Sequence, residues 1–228
     1  MKLSGLVLGV ALWAGAARAN AGEAAGLPPG RLIEKFRAIK ALTADFREEK
    51  RMAILEAPIA RAGTIAYESP GRLAMDVTQP GPSRLLLDRN VLTMIDGPQR
   101  HVIDIDKQPA VGLLVRLLLG VLAGDVDGLK RHARVAFRGL PRGKSQRGAG
   151  QAARSGTAME SWSMDLDPQD PVLTKLIKSM SVTGHDAIID VLTVVDGNGD
   201  RTVTTFSNVK VLDGFSPADR ATRFGAHP

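Results

Sequence analysis

The chain has 228 residues, with 30 Lys and Arg against 24 Asp and Glu, a formal net charge of +6 and no cysteine. Without thiols there is no disulfide framework, no thiolate chemistry and no cysteine to carry a lipid anchor. The basic balance points at nucleic acid only at first sight: the densest basic stretch, Arg138, Arg142, Lys144, Arg147 and Arg154, lies among glycines with no aromatic residue for base stacking.

Residues 1–19 predict an export signal. Lys2 is its charged start, and Leu3 to Ala17 is an apolar core too short to span a bilayer. Ala17-Arg18-Ala19 is a small-x-small cleavage site, so residues 20–228 are expected to form one mature domain, soluble in the periplasm. Arg31–Ile39 then predicts an amphipathic helix, with Leu32, Ile33, Phe36 and Ile39 at helical spacing. Leu42, Ala44 and Phe46 alternate with polar residues, as in a half-buried strand. Thr64–Glu68, Arg72–Thr78, Ser83–Leu87, Val91–Ile95 and His101–Ile105 read as further short strands, separated by turn formers such as Ser69-Pro70-Gly71 and Asp96-Gly97-Pro98. Closely spaced strands joined by tight turns predict an antiparallel meander.

The period changes at Pro109. Leu113, Leu114, Leu117, Leu118 and Val121 form one face of a helix that Gly124 ends, and Asp125 looks like the cap of a second short helix running to His132. Val135–Phe137 resumes a strand. The basic stretch Arg138–Arg154 reads as a solvated loop, with contact to anionic lipid head groups as the alternative. Ser161–Leu166 alternates with Trp162, Met164 and Leu166 on one side, a helical turn opens near Pro168–Asp170, and Ile177–Val182, Ile188–Val195 and Arg201–Val209 complete ten or eleven strands. The tail after Phe215 reads as irregular.

Chemical motifs are sparse. The four histidines show no paired spacing with a nearby acid. Asp196-x-Asn198-x-Asp200 mimics the start of a calcium loop but lacks the distal Glu, so it reads as a hairpin turn. Gly139…Gly143-Lys144-Ser145 is one residue short of a phosphate loop, and no Gly-x-Ser-x-Gly elbow is present. No enzyme activity and no cofactor are expected.

Four stretches carry a resemblance. They are Phe46…Lys50 with Leu55-x-x-Pro58 and Gly63; Ser69-Pro70-Gly71-Arg72-Leu73 leading to Gln79-Pro80; Leu166-x-Pro168 with Leu173…Ile177; and Asp196-x-x-Gly-Asp200-Arg-Thr202…Phe206-Ser-Asn208-Val209. In this order they resemble the periplasmic outer-membrane lipoprotein carriers of the LolA family, and Arg116–Val135 is closer to a divergent branch. The resemblance implies an α+β fold: an incomplete antiparallel barrel with a helical lid over an apolar cavity. It implies a monomeric carrier that shields the acyl chains of lipoproteins, takes them from an inner-membrane ABC release complex and passes them to an outer-membrane acceptor. Cargo of another kind, a glycolipid or polyene lipid, and a periplasmic lipid- or peptide-sensing regulator are the alternatives. Phe46, Leu55, Leu73, Met75, Leu85, Leu87, Met94, Leu113, Leu114, Leu117, Leu118, Trp162 and Met164 are the expected cavity and lid residues. Some members carry a lid-holding Arg just before the strand-breaking Pro; here that position is Ser69, and Arg72 becomes the candidate latch.

Overall fold

The computed structural model describes residues 29–139 and 161–225. The expected signal segment 1–19 and most of the basic stretch 138–154 lie outside the described residues.

The structure is one open sheet of eleven antiparallel strands. Helix α1 (Pro29–Arg37) leads into strand β1 (Ala41–Arg51). A meander follows: β2 (Ile59–Glu68), β3 (Arg72–Gln79), β4 (Ser83–Asp88), β5 (Val91–Asp96) and β6 (Gln99–Asp104). Two helices, α2 (Pro109–Ala123) and α3 (Val126–Lys130), then carry the chain to the far edge. The return runs through β7 (Ala133–Gly139), β8 (Ser161–Pro168), a one-turn α4 (Leu173–Leu176), β9 (Ile177–His185), β10 (Ile188–Asp196) and β11 (Arg201–Leu212), and ends in α5 (Pro217–Phe224). The strand order is β6-β5-β4-β3-β2-β1-β11-β10-β9-β8-β7, so the sheet's two edges are the strands on either side of α2–α3. This is the expected incomplete barrel with helical cover.

Strand alternation decides which side chains face the helices. Leu42 stands opposite Tyr67, which stands opposite Leu73, then Leu87, then Leu92. The next inner row is Ala44, Ile65, Met75, Leu85 and Met94. Helices α1, α2 and α3 bury Leu32, Phe36, Ile39, Leu117, Val121 and Leu129 against Trp162, Met164, Leu166, Met180 and Val182. The other flank of α2 (Val111, Val115, Leu119) packs on Leu73, Leu85, Leu87 and Leu92. The expected single apolar face is therefore too narrow: with one charged residue in fifteen, α2 is apolar nearly all round and wedges between two cores.

Gly124 closes α2 in a left-handed conformation (φ 62°) and donates its N–H to a carbonyl of the last turn. A Cβ there would lie 2.7 Å from Phe36 Cβ, so the glycine also admits α1.

On the outer face the tail after Phe215 is ordered, not irregular as expected. Ala41, Ala66 and Ala74 leave a shallow bed in which Phe215 lies, 8% exposed. The tail beyond it is helix α5. Ser216 caps it by accepting from the Asp219 N–H (3.0 Å), and Pro217 occupies the first turn, where its missing N–H costs nothing. The Ser-Pro-x-Asp pattern carried that signal.

Candidate functional site

The site grows from the inner face of β1. Leu42 and Ala44 point the same way as Phe46, toward α1. Between β1 and β11 the register slips, and Asn208 adopts a left-handed φ of 52°. The bulge bends β11 and brings Phe206 and Val209 beside Ala44. Ile65 comes from β2, Phe36 and Ile39 from α1 and its exit, Leu122 from the end of α2, Ala187 from the β9–β10 turn, and Ile188 and Ile189 from the start of β10. Every lining residue is apolar.

The cleft's cavity volume is about 30 Å³, well below the usual range of ligand pockets. It is a narrow slot rather than an open chamber. A bulky cargo must part its walls.

The wall formed by α1 is packed into the main core by Leu32 and Phe36, and two further contacts tie it beside the mouth. Phe36 meets Trp162 edge to face, with ring centroids 5.4 Å apart. Lys35 Nζ lies 3.5 Å from Asp186 Oδ1 across the mouth, both side chains nearly half exposed. An exposed pair of this kind contributes about 0–1 kcal/mol, a light tie. From the cleft, the inner row Ile65, Met75, Leu85 and Met94 continues across the sheet. Met75 is half-buried and Met94 is 36% exposed, so the strip is only partly covered.

None of the sequence-predicted cavity residues lines the slot itself. Met75, Leu85 and Met94 form the strip that extends it. Leu73 and Leu87 lie under α2 in the neighbouring core. Leu114, Leu117 and Leu118 pack with Trp162 and Met164 in the main core, Leu113 is half-buried on α2, and Phe46 is buried at 3% exposure one row below the slot. Leu55 lies away from all of these, 43% exposed in the β1–β2 loop. The reading missed Ile65, Leu122, Phe206, Val209, Ala187, Ile188 and Ile189. The alternation on β1 was a usable signal for its own strand, but no local pattern shows that β11 comes alongside it.

The structure also places Arg72. It is on the outer face, where its Nε donates to Asp88 (3.1 Å) and its Nη1 to Glu68 (3.2 Å). It touches no lid carbonyl. On the same outer face Arg84 Nη2 donates to the carbonyls of Thr222 (3.3 Å) and Arg223 (2.5 Å) at the unpaired end of α5, which is not a lid helix. Glu68, 7% exposed, accepts from both Nε and Nη2 of Arg220 on α5 (2.6–3.1 Å). Those bonds, with Arg72 second, hold its carboxyl below the usual range against the opposing effect of burial. On the inner side, burial pushes the Tyr67 phenol up.

The expected calcium-like turn is a hairpin turn. Asp196 Oδ1 accepts from the backbone of Asn198 (2.9 Å) and Asp200 (3.0 Å), and its Oδ2 lies 3.4 Å from Lys50 Nζ. Among the described residues no helix is long and apolar enough to cross a membrane.

No protein-family model matches the chain. No curated protein matches it either. Solved structures do. A LolA superfamily protein from Nitrosomonas europaea is 10% identical over 84% of this chain and 96% of its own, with a TM-score of 0.41. An outer membrane lipoprotein-sorting protein domain from Vibrio parahaemolyticus is 10% identical over 85% and 95%, with a TM-score of 0.44. The lipoprotein LppX from Mycobacterium tuberculosis is 7% identical over 82% and 95%, with a TM-score of 0.41. The chain is thus similar to LolA-type structures in its layout of strands and helices, and at these values the likeness extends to no cargo, partner or activity.

Proposed function

We propose that this protein is a periplasmic carrier that takes acyl chains into the slot between α1 and the β1–β11 seam. The observation that carries the reading is a slot lined entirely by apolar side chains and continued by the strip Met75–Leu85–Met94. From Ala44 to Met94 the row crosses four strand spacings, roughly 19 Å. That length suits one extended acyl chain. Each methylene buried from water is worth about 0.8 kcal/mol, so an apolar strip of this length favours a hydrocarbon without any polar contact. Methionines suit cargo that must also leave, because their flexible thioethers adapt without fixed partners.

The light Lys35–Asp186 tie lets the α1 wall yield. On this reading the physiological cargo is the acyl moiety of a lipoprotein, supplied by an inner-membrane ABC release complex and consumed at an outer-membrane acceptor. Binding rather than catalysis is the activity. The test is a fluorescent sixteen-carbon acyl probe titrated into wild type and Ala187→Trp, which plugs the mouth without burying charge. Wild-type binding with at least a tenfold loss in the variant supports the reading; equal binding overturns it. Native mass spectrometry of detergent-free protein from the periplasm then reads the cargo, since a lipoprotein, a glycolipid and a peptide differ in mass.

A further inference from the structure

The most exposed large apolar side chain among the described residues is far from the slot. Ile54 is 84% exposed at the tip of the β1–β2 hairpin, with Leu55 at 43% and Ile59 at 45% beside it. A soluble hairpin tip ordinarily carries turn formers and charge. This one reads Met52-Ala-Ile-Leu-Glu-Ala-Pro58, with Glu56 its one charged residue.

The tip is anchored, not loose. The Ala53 N–H donates to Asp200 Oδ1 (3.4 Å), and Lys50 Nζ lies 3.4 and 3.8 Å from Asp196 and Asp200 of the β10–β11 turn. On the other strand Arg61 pairs with Glu48. The same end of the sheet exposes Leu176 at 36%, and that residue's carbonyl accepts from Gly197 of the β10–β11 turn. Arg51, Arg201, Lys175 and Lys178 are exposed around these apolar groups, and among the described residues none of the four has an ion-pair partner. Glu49 and Glu56 are the nearby acids without a salt bridge.

We infer that this end of the sheet docks on an anionic phospholipid bilayer, with Ile54, Leu55 and Ile59 entering the head-group region and the ring of bases meeting the lipid charge. Both halves of the arrangement fit that one partner. An apolar wedge gains by leaving water, and cations beside it gain at an anionic surface. A protein partner would need a shaped groove, whereas a bilayer accepts a wedge of any outline. The anchoring matters because an ordered tip loses little conformational freedom on insertion. Seven residue steps along β1 take the chain from Ala44 in the slot to Arg51 at the tip's root, roughly 24 Å. Docking here leaves the slot clear of the bilayer, so the contact holds the protein at a membrane surface independently of what fills the slot.

The experiment uses Ile54→Trp and the double variant Ile54→Ser/Leu55→Ser, with neutral phosphatidylcholine vesicles and vesicles carrying phosphatidylglycerol. The tryptophan emission of Ile54→Trp should move to the blue with anionic vesicles, and the effect should weaken in high salt. Sedimentation with anionic vesicles should fall at least tenfold in the double variant, while its melting temperature and acyl-probe binding stay at wild-type values. An unmoved emission, equal sedimentation of the double variant, or equal binding to neutral and anionic vesicles would overturn the assignment. So would tip-dependent self-association without vesicles, which would make the occupant a second copy of the chain. Loss of probe binding by the double variant would join the tip to the slot and overturn the assignment as well.

Discussion

The two halves of the sheet carry the same alternating apolar pattern and are covered differently. On β7–β9, Trp162, Met164, Leu166, Met180 and Val182 are at most 4% exposed beneath three helices. On β3–β5, one flank of α2 covers Leu73, Leu85, Leu87 and Leu92, while Met75 is half-buried and Met94 is 36% exposed. The side chains do not differ in kind, since each half contributes leucines and methionines. The amount of helix above them differs. Where helices crowd, an apolar face is core; where they thin out, the same face becomes a place for something else to be buried.

Substitutions can break that comparison. Met164→Ala should have the largest effect, because its neighbours are packed on every side: a loss of about 2–5 kcal/mol, read as a fall in Tm of roughly 5–15 °C. A shift of a degree or two would mean the first half is no better packed than the second. Leu117→Glu belongs with it: Leu117 is 3% exposed in the main core, so a charge there destabilises the fold before it touches binding.

The second half should answer differently. Met75→Glu is expected to cost the acyl probe at least tenfold in affinity with a Tm change of no more than a few degrees. Unfolding of this variant, or undiminished binding, would erase the distinction between core and strip.

A third test concerns the outer face. The Glu68 carboxyl has a lower pKa folded than unfolded, so its contribution is present above its ordinary value of about 4.3 and is lost as pH falls through the lower folded value. Acidification through that lowered folded value should therefore release α5. Trypsin should cut after Arg220 and Arg223 faster in Glu68→Gln at pH 7 than in wild type, with a Tm lowered by about 2–4 °C. Identical cleavage would mean that Phe215 and Arg84 hold the tail without Glu68.

The smallest expected effect is that of Lys35→Ala. It should change Tm by less than about 2 °C and speed acyl-probe exchange, because the pair spans the mouth and is exposed. An unchanged exchange rate would show that the mouth is held by Phe36 and Trp162 instead.

Much of this architecture was local information. Period-two alternation marked the strands, Pro-Gly and Asp-Gly pairs marked their turns, and the switch to helical spacing at Pro109 with Gly124 beyond it marked α2, because each depends on neighbours within a few residues. The Ser216 cap of α5 was equally local and went unread because the helix is short and its apolar face is little more than Phe224. What only the tertiary structure decided is which apolar surface stays uncovered. The slot exists because β11 pairs with β1 from across the sequence, Phe206 beside Phe46, and bulges at Asn208; the partner of Glu68 is Arg220, 152 positions away. A methionine in a strand has the same sequence signature under a helix as beside a gap. Burial is a property of what packs above a residue, and in this chain that is set by where α1 and α2 come to rest on the sheet.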